Sequence, residues 1–141
     1  MSTAAIQFGE KKPGITYTIR HGAYAVIFND DGRVAAVRGA TGYFLPGGGL
    51  EAGETPEAAL HREIREECNA TIEISGLAGY ATDFIYSAHE ETYFEKRGAF
   101  YLARFTSPPV STDIEWLDLE IGNKLFRQEG HAWAASSRKK P

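Results

Sequence analysis

The chain has 141 residues and a formal net charge of -4, with 43% hydrophobic and 24% charged residues. This length suits one domain with its own core, and the composition is that of an ordinary globular protein rather than a disordered or fibrous one. An acidic chain lacks the clustered Lys and Arg with which proteins bind DNA or RNA, so a nucleic acid polymer is excluded as the expected partner. A small anionic molecule remains as the expected partner.

The cysteine count and the hydropathy pattern bear on the compartment. Cys68 is the single cysteine, so no intramolecular disulfide can form, and this favours a reducing cytoplasm. The first residues contain no apolar signal region, and the chain has no run of about 18 apolar residues. We therefore expect neither secretion nor membrane insertion, and the sequence leaves a monomer and a homodimer open.

The hydrophobic pattern predicts one domain, residues 15–135, between a flexible arm at 1–14 and a frayed tail at 136–141. Within it, strand patterns occur at residues 15–19, 23–28, 34–37, 43–45, 71–74, 77–86, 99–105 and 114–117. A polar, acidic stretch at 87–97 separates two of these strands. Helical spacing returns at 120–135.

A helix with clear start signals follows a glycine-rich turn, Pro46 to Gly49. Thr55 is a good N-cap, Pro56 suits the first turn, and the residues up to Cys68 are strong helix formers, so we predict a helix from Pro56 to Cys68. The glycines before it allow backbone groups to approach a metal or a phosphate closely. No Gly-Lys-Ser/Thr follows, which excludes a Walker loop.

Three carboxylates share one face of the predicted helix. Glu63, Glu66 and Glu67 stand at i, i+3 and i+4, which places them within an arc of about 100°. Their mutual repulsion destabilises the helix by a few tenths of a kcal/mol for each pair. Arg62 and Arg65 offset part of this, and a hard divalent cation would offset it better. The alternative is that these residues form only the solvated face of an amphipathic helix.

Gly48, Glu54 and the segment from Arg62 to Glu67 together resemble the box of the Nudix hydrolase family, which includes MutT-like proteins. The family pattern is G-x5-E-x7-R-E-U-x-E-E-x-G-U, with U a bulky aliphatic residue, and the spacing here is unbroken. Two positions depart from it. Asn69 stands in place of Gly and Ala70 in place of a larger apolar residue. Asn is the usual second choice for the left-handed conformation at a helix end, so the first departure is mild.

The resemblance implies an α/β fold, an α/β/α sandwich in which a mixed β-sheet lies between helices and the box forms a loop-helix-loop. It implies that Glu66 and Glu67 bind Mg²⁺, with Mn²⁺ as a substitute, and that Glu63 is a third ligand or the general base. The carbonyl of Gly47 is the expected backbone ligand. Arg62 and Glu54 are expected to support the site by pairing with each other.

The activity implied by the resemblance is metal-dependent hydrolysis of a phosphoanhydride bond in a nucleoside diphosphate linked to another group, by attack of water at phosphorus. A nucleoside triphosphate, a nucleotide sugar, ADP-ribose and a dinucleoside polyphosphate all remain open as substrates. The alternative is a non-catalytic, Nudix-like module that binds or senses a nucleotide. Such modules typically lack one or more box glutamates, and this chain keeps them all.

Residues outside the box are harder to assign. A further acid often completes the site in this family, and the candidates here are Glu90, Glu91, Glu95, Asp113 and Glu115, although for any one of them a solvated loop charge is the favoured explanation. Tyr43, Phe84 and Tyr86 are candidates for stacking on a nucleobase, although alternation in a strand makes such residues core residues first. The four histidines have no zinc-site spacing. Cys68 lies on the packing stripe of the helix and is interpreted as a small buried hydrophobe.

Overall fold

The computed structural model describes residues 4–110 and 114–137. Its strands and helices are β1 (Ile6–Phe8), β2 (Thr18–Val26), β3 (Val34–Gly39), β4 (Gly42–Phe44), β5 (Gly47–Gly49), α1 (Pro56–Cys68), β6 (Ile72–Ser87), β7 (Thr92–Phe105), β8 (Ile114–Leu117), α2 (Leu119–Gly122), a 3₁₀ turn (Asn123–Leu125) and α3 (Glu129–Ser137). Asp113, one of the acid candidates, lies outside the described residues. No helix in the described part of the chain is long and apolar enough to cross a membrane.

The central element is a five-stranded mixed sheet in the order β1-β6-β7-β2-β5. β2 runs parallel to β7 and antiparallel to β5, while β6 and β7 form a long antiparallel hairpin. A second, antiparallel sheet has the order β4-β3-β8. The short strand β5 therefore lies at the edge of the main sheet, where it leads into the turn before α1.

Helices cover opposite faces of the main sheet. Because side chains alternate along a strand, Ala23 and Ala25 of β2 face α1 and pack with its Leu60 and Ile64. Val26 lies in a second core with residues of α3. The predicted α/β fold, with a mixed sheet between helices, is confirmed.

The ends of α1 follow from local chemistry. The helix spans the predicted residues, and the hydroxyl of Thr55 accepts a hydrogen bond from the Ala58 N–H at 3.2 Å. Asn69 ends it with φ 50° and ψ 47°, in the left-handed region, and its N–H donates to the Arg65 carbonyl at 3.1 Å. The predicted conformation of Asn69 is confirmed.

Three parts of the chain differ from the sequence prediction. The arm at 1–14 was predicted to be loose, but it contains β1, which pairs in parallel with Ala81–Asp83 of β6. A three-residue strand stabilised by a distant partner leaves no periodicity to read. Only residues 88–91 of the predicted acidic stretch form the turn, because β6 continues to Ser87 and β7 already begins at Thr92. The start of the tail is also helical, since α3 continues to Ser137.

The conformation of Asn69 gives a stability prediction. Asn69→Gly should leave the free energy of unfolding unchanged or slightly raise it, because Gly adopts the left-handed region without a steric penalty. Asn69→Ala should lower it by about 1 kcal/mol, because a plain Cβ is disfavoured there. Urea unfolding followed by circular dichroism measures both. Equal stability of the Gly and Ala variants would contradict the left-handed conformation.

Candidate active site

Arg62 connects the acidic face of α1 to the glycine-rich turn. Its Nε and Nη2 donate to the two carboxylate oxygens of Glu54 at 2.7 and 2.9 Å. Its Nη1 lies 3.2 Å from an oxygen of Glu63 and 3.2 Å from an oxygen of Glu66, and its Nη2 also donates to the Gly49 carbonyl at 3.0 Å. These contacts occupy every donor direction of the planar guanidinium. The expected contact between Arg62 and Glu54 is present.

The same contacts set the charge state of Glu54. The guanidinium of Arg62 and the backbone N–H of Glu51, which donates at 2.8 Å, lower the pKa of Glu54 to about 2. In return, Glu54 raises the pKa of Arg62 above its usual value. Both groups are therefore ionised throughout the neutral range.

Glycines allow the helix to approach the turn before it. The N–H of Gly47 donates to a carboxylate oxygen of Glu67 at 3.1 Å. A Cβ placed on Gly48 would lie 2.5 Å from the carboxyl carbon of Glu63, so any other residue there would displace that carboxylate. The N–H of Leu45, just before the turn, donates to Nδ1 of His131 at 2.9 Å. Side chains of two helices thus hold one short backbone segment.

The atoms of this site that could bind a metal ion are all oxygens. In residues 4–110 and 114–137, no three His, Cys, Asp or Glu side chains already converge as a metal-binding group. Glu63 and Glu66 both turn toward Arg62, and Glu67 turns toward the Gly47 N–H. Carboxylates supported by a close-lying backbone fit a hard divalent cation, because such ions prefer oxygen ligands.

The acids predicted outside the box lie elsewhere. Four of these five acids belong to the described residues, and the contacts of three of them are with residues outside the box. Glu95 is buried in β7 and pairs with Arg97, its Oε2 lying 2.7 Å from Nε. Glu90 forms an ion pair with Arg20 at 3.4 Å, and Glu115 forms one with Arg38 at 2.6 Å. Glu91 lies in the exposed β6–β7 turn, where its φ is 51°.

The predicted aromatic residues are also dispersed. Tyr43 donates its hydroxyl to Glu115 at 2.9 Å, and Phe84 packs edge-on against Tyr17. Tyr86 is 45% exposed and lines an open cleft of about 500 Å³. None of the three lines the smaller cavity that begins at Gly49, beside the box.

That smaller cavity, of about 120 Å³, is lined by residues that the sequence analysis missed. They include Arg20, Tyr24, Asp83, Lys96, Phe100, Gln128 and His131. Burial, followed by the charges of Glu63, Glu67 and Asp83, raises the pKa of Tyr24 to about 12. Tyr24 therefore lies within the electrostatic reach of both the box acids and the cavity acid.

Asp83 carried a sequence signal that was overlooked. Gly79, Ala81 and Asp83 are alternate residues of β6 that face the interior, so an apolar residue is expected at position 83. The Asp83 side chain is 4% exposed. Burial raises the pKa of its carboxyl to about 6, although the Gly130 N–H opposes this by donating to both oxygens, at 3.2 and 3.1 Å. A charged residue at an inward position of a strand is a functional-site signal.

Two other buried groups are uncharged. His131 is 1% exposed, and burial, followed by the charge of Lys96, lowers its pKa to about 3. Since Nδ1 accepts from Leu45, the proton is on Nε2, which has no hydrogen-bond partner among the described residues. Burial raises the pKa of Cys68 to about 12, in agreement with its interpretation as a buried hydrophobe.

The pKa of Glu54 can be tested directly. In a carbon-13 NMR titration, the Glu54 carboxyl should have its midpoint near 2, because Arg62 stabilises the ionised form. In Arg62→Met the midpoint should rise toward the ordinary value of about 4.3. The Arg62–Glu54 contribution to stability is therefore complete above the unfolded-state pKa and is lost as the pH falls toward 2. A midpoint unchanged by Arg62→Met would contradict this assignment.

The comparisons with known proteins indicate a single family. A family model described as the NUDIX domain matches residues 18–132. A MutT-like protein of Streptomyces ambofaciens is 43% identical over 56 residues, covering 38% of this chain and 36% of that protein. An RNA pyrophosphohydrolase of Halorhodospira halophila is 52% identical over 44 residues, covering 30% of this chain and 24% of that protein. The chain thus matches only about a third or less of the length of these curated relatives.

A solved structure matches this chain over a larger part of its length. The E. coli dihydroneopterin triphosphate pyrophosphohydrolase has a TM-score of 0.67 and 19% identity, with 84% of this chain and 94% of that chain covered. At this identity the likeness shows the fold alone. Since the family model covers most of the chain, and since the box residues lie together around Arg62, this chain belongs to the NUDIX domain family.

Proposed function

We propose that the chain is a pyrophosphohydrolase that uses a divalent metal ion to hydrolyse a phosphoanhydride bond in a nucleoside diphosphate linked to another group. The observation that carries this proposal is the set of hydrogen bonds from Arg62 to Glu54, Glu63 and Glu66 and to the carbonyl of Gly49. A solvated helix face would not need a backbone turn packed against its carboxylates. Two of the proteins to which the chain is similar are pyrophosphohydrolases by name, which supports cleavage of the same type of bond.

The ligands proposed for Mg²⁺, or for Mn²⁺ in its place, are Glu63, Glu66, Glu67 and the carbonyl of Gly47. When bound, the ion would neutralise diphosphate oxygens and lower the pKa of a coordinated water. The proposal requires Glu63 and Glu66 to exchange their 3.2 Å contacts with Arg62 for the ion. Arg62 would remain fixed by its two hydrogen bonds to Glu54, both below 3.0 Å.

The chain itself would then orient the reactants and move the proton. Gly47 and Gly48 leave the backbone open to a phosphate, because neither carries a side chain. Glu63, held over Gly48, is either the general base that accepts the proton of the attacking water or a third ligand. The three carboxylates by themselves would repel a diphosphate, so their charge is useful only with a cation present.

The proposal extends to the type of substrate, the cellular location and the oligomeric state. We infer a small-molecule nucleotide rather than a nucleic acid polymer, since the chain carries a formal net charge of -4. A cytoplasmic location accords with one buried, unpaired cysteine. The chemistry of the site is compatible with four substrate classes: a nucleoside triphosphate, a nucleotide sugar, ADP-ribose and a dinucleoside polyphosphate. The fold is compatible with a monomer or a homodimer.

The test is a substrate panel covering these four classes, with Mg²⁺ and with identification of the products by mass spectrometry. Cleavage in ¹⁸O-labelled water identifies which phosphorus is attacked, because the label appears in the product formed there. We expect at least one class to be split at a phosphoanhydride bond. Binding of a nucleotide without hydrolysis of any member would instead indicate a non-catalytic module.

Substitution of the proposed ligands should separate catalysis from folding. Glu66→Gln or Glu67→Gln should lower turnover by about two or more orders of magnitude, because each removes a charged ligand from an electrostatic site. Glu57→Gln makes the same chemical change on an exposed residue of the same helix and should have little effect on turnover. Near-normal turnover in either ligand variant would remove that residue from the metal site.

Metal exchange tests the same site without a mutation. Activity should vanish in excess EDTA and return with Mg²⁺ or Mn²⁺, while Ca²⁺ should bind but support little turnover, since it adopts a looser geometry than Mg²⁺. Zn²⁺ should not be the resident metal, because the site lacks His and Cys ligands. Atomic absorption confirms that the treated protein is metal-free. Full activity of that protein in EDTA would refute a metal-dependent mechanism.

A further inference from the structure

His131 is bonded to the backbone at the point where the chain passes from the second sheet to the main sheet. β4 ends at Phe44 and β5 begins at Gly47, so Leu45 and Pro46 form the crossing segment, and both are buried. The Leu45 N–H lies outside both strands and donates to Nδ1 of His131 at 2.9 Å. A buried N–H without an acceptor destabilises a fold. His131 therefore supplies an acceptor that comes from neither sheet.

The same segment sets the direction of the Gly47 carbonyl. The carbonyl of Pro46 accepts a hydrogen bond from β2 at 2.8 Å, and the N–H of Leu50 donates to β2 at 3.0 Å. Alternate residues of an antiparallel pair bond to the partner strand, so Gly47 and Gly49 turn their polar groups away from β2. The side chains of α1 contact both residues on that outer side. The Gly47 carbonyl therefore leaves the edge of the sheet on the side of α1.

The imidazole of His131 is itself fixed in orientation and in charge. Its ring centroid lies 4.3 Å from that of Tyr24, 5.4 Å from that of Phe100 and 5.9 Å from that of Phe44. These three rings leave it 1% exposed, and burial lowers its pKa to about 3. Nδ1 is therefore a neutral acceptor throughout the neutral range, in a ring that its surroundings prevent from turning.

Packing alone does not explain an imidazole at this position. Its Nε2–H is buried and has no hydrogen-bond partner among the described residues, which is unfavourable compared with an apolar ring. The hydrogen bond at Nδ1 offsets this, and it is directed at the segment before the glycine-rich turn. The polar contact of the ring thus lies two residues from Gly47.

We propose that His131 is a positioning residue for the metal site: by accepting the Leu45 N–H, it fixes the backbone that places the Gly47 carbonyl. The inference rests on the proposed function, in which that carbonyl binds the metal ion. Mg²⁺ requires nearly octahedral ligands at about 2.1 Å, whereas Ca²⁺ accepts a larger and more irregular set. A displaced carbonyl should therefore weaken the binding of Mg²⁺ much more than the binding of Ca²⁺.

The test measures metal binding without a substrate, so that it does not depend on turnover. Free Mn²⁺ is measured by electron paramagnetic resonance during titration of the full chain, and Mg²⁺ and Ca²⁺ are measured by competition with Mn²⁺. His131→Phe keeps a ring among the aromatic neighbours and removes the acceptor. It should raise the Kd for Mg²⁺ by about tenfold or more, as expected for a residue that supports a metal ligand. The Kd for Ca²⁺ should change by about twofold at most.

Two further variants separate positioning from packing. His131→Asn loses the ring but keeps an oxygen at the same number of bonds from the backbone as Nδ1, so its Mg²⁺ affinity should lie closer to that of the unmodified protein than the affinity of His131→Phe. A packing role predicts the opposite order, because Phe fills the space better. His89→Phe makes the same chemical change in the exposed β6–β7 turn and should leave every Kd unchanged.

Hydrogen exchange in the unmodified protein provides a second measurement, should the His131 variants fail to fold by circular dichroism. If the ion and the Leu45 hydrogen bond depend on one backbone position, Mg²⁺ must stabilise that bond, because coupling is reciprocal. Mg²⁺ should slow exchange of the Leu45 N–H about fivefold more than exchange of the Ala35 N–H, which donates to the Ile27 carbonyl at 2.9 Å. Equal slowing would mean that the ion stabilises the whole fold, and would overturn the proposal.

The positioning role and the proposed function fail in different ways. Unchanged Mg²⁺ affinity in folded His131→Phe, or equal losses for Mg²⁺ and Ca²⁺, would overturn the role and leave the hydrolase standing. A selective loss of Mg²⁺ affinity in a protein that splits no member of the substrate panel would refute the hydrolase and support the role. An unmodified protein that binds no Mn²⁺ would refute the metal site and the role together.

Discussion

The hydrogen bonds of Arg62 are the constraint on which the rest of the site depends. Its planar donors reach Glu54 on one side, Glu63 and Glu66 on another, and the carbonyl of Gly49 at the end of β5. Lysine, with one ammonium, could not span these directions. Because the guanidinium is fixed mainly by the short, two-bonded contact with Glu54, the longer contacts with the other carboxylates are available for exchange. The row of acids is therefore tolerated in the absence of a cation and, under the proposed function, would be able to bind one.

The parts of this site that the sequence predicted are those whose causes are local. The bounds of α1, the cap at Thr55 and the left-handed Asn69 follow from residues within one or two turns. The Arg62 to Glu54 contact spans eight residues of a motif with fixed spacing. By contrast, β1 exists only because it pairs with β6, so its own three residues give no signal. The arm was mispredicted for that reason.

The cavity could not be predicted from the sequence, because its residues come from separate strands. Arg20, Lys96 and Asp83 are neighbours solely because of the strand order β6-β7-β2, and no spacing in the sequence encodes that order. Glu95 is one of the predicted additional acids, but alternation along β7 turns its side chain to the face opposite Lys96. The box thus belongs to a single stretch of chain and is readable from it, whereas the cavity is assembled from three strands and the start of a helix.

The start of α3 links these two parts. His131 accepts the N–H of Leu45, which directly precedes the glycine-rich turn, and Gly130 donates its N–H to Asp83 in the cavity. Adjacent residues of one helical turn therefore fix both the segment before the glycine-rich turn and the cavity acid. Any shift of α3 on the sheet would move both hydrogen bonds at once, so the distance between the turn and Asp83 is set by the docking of α3.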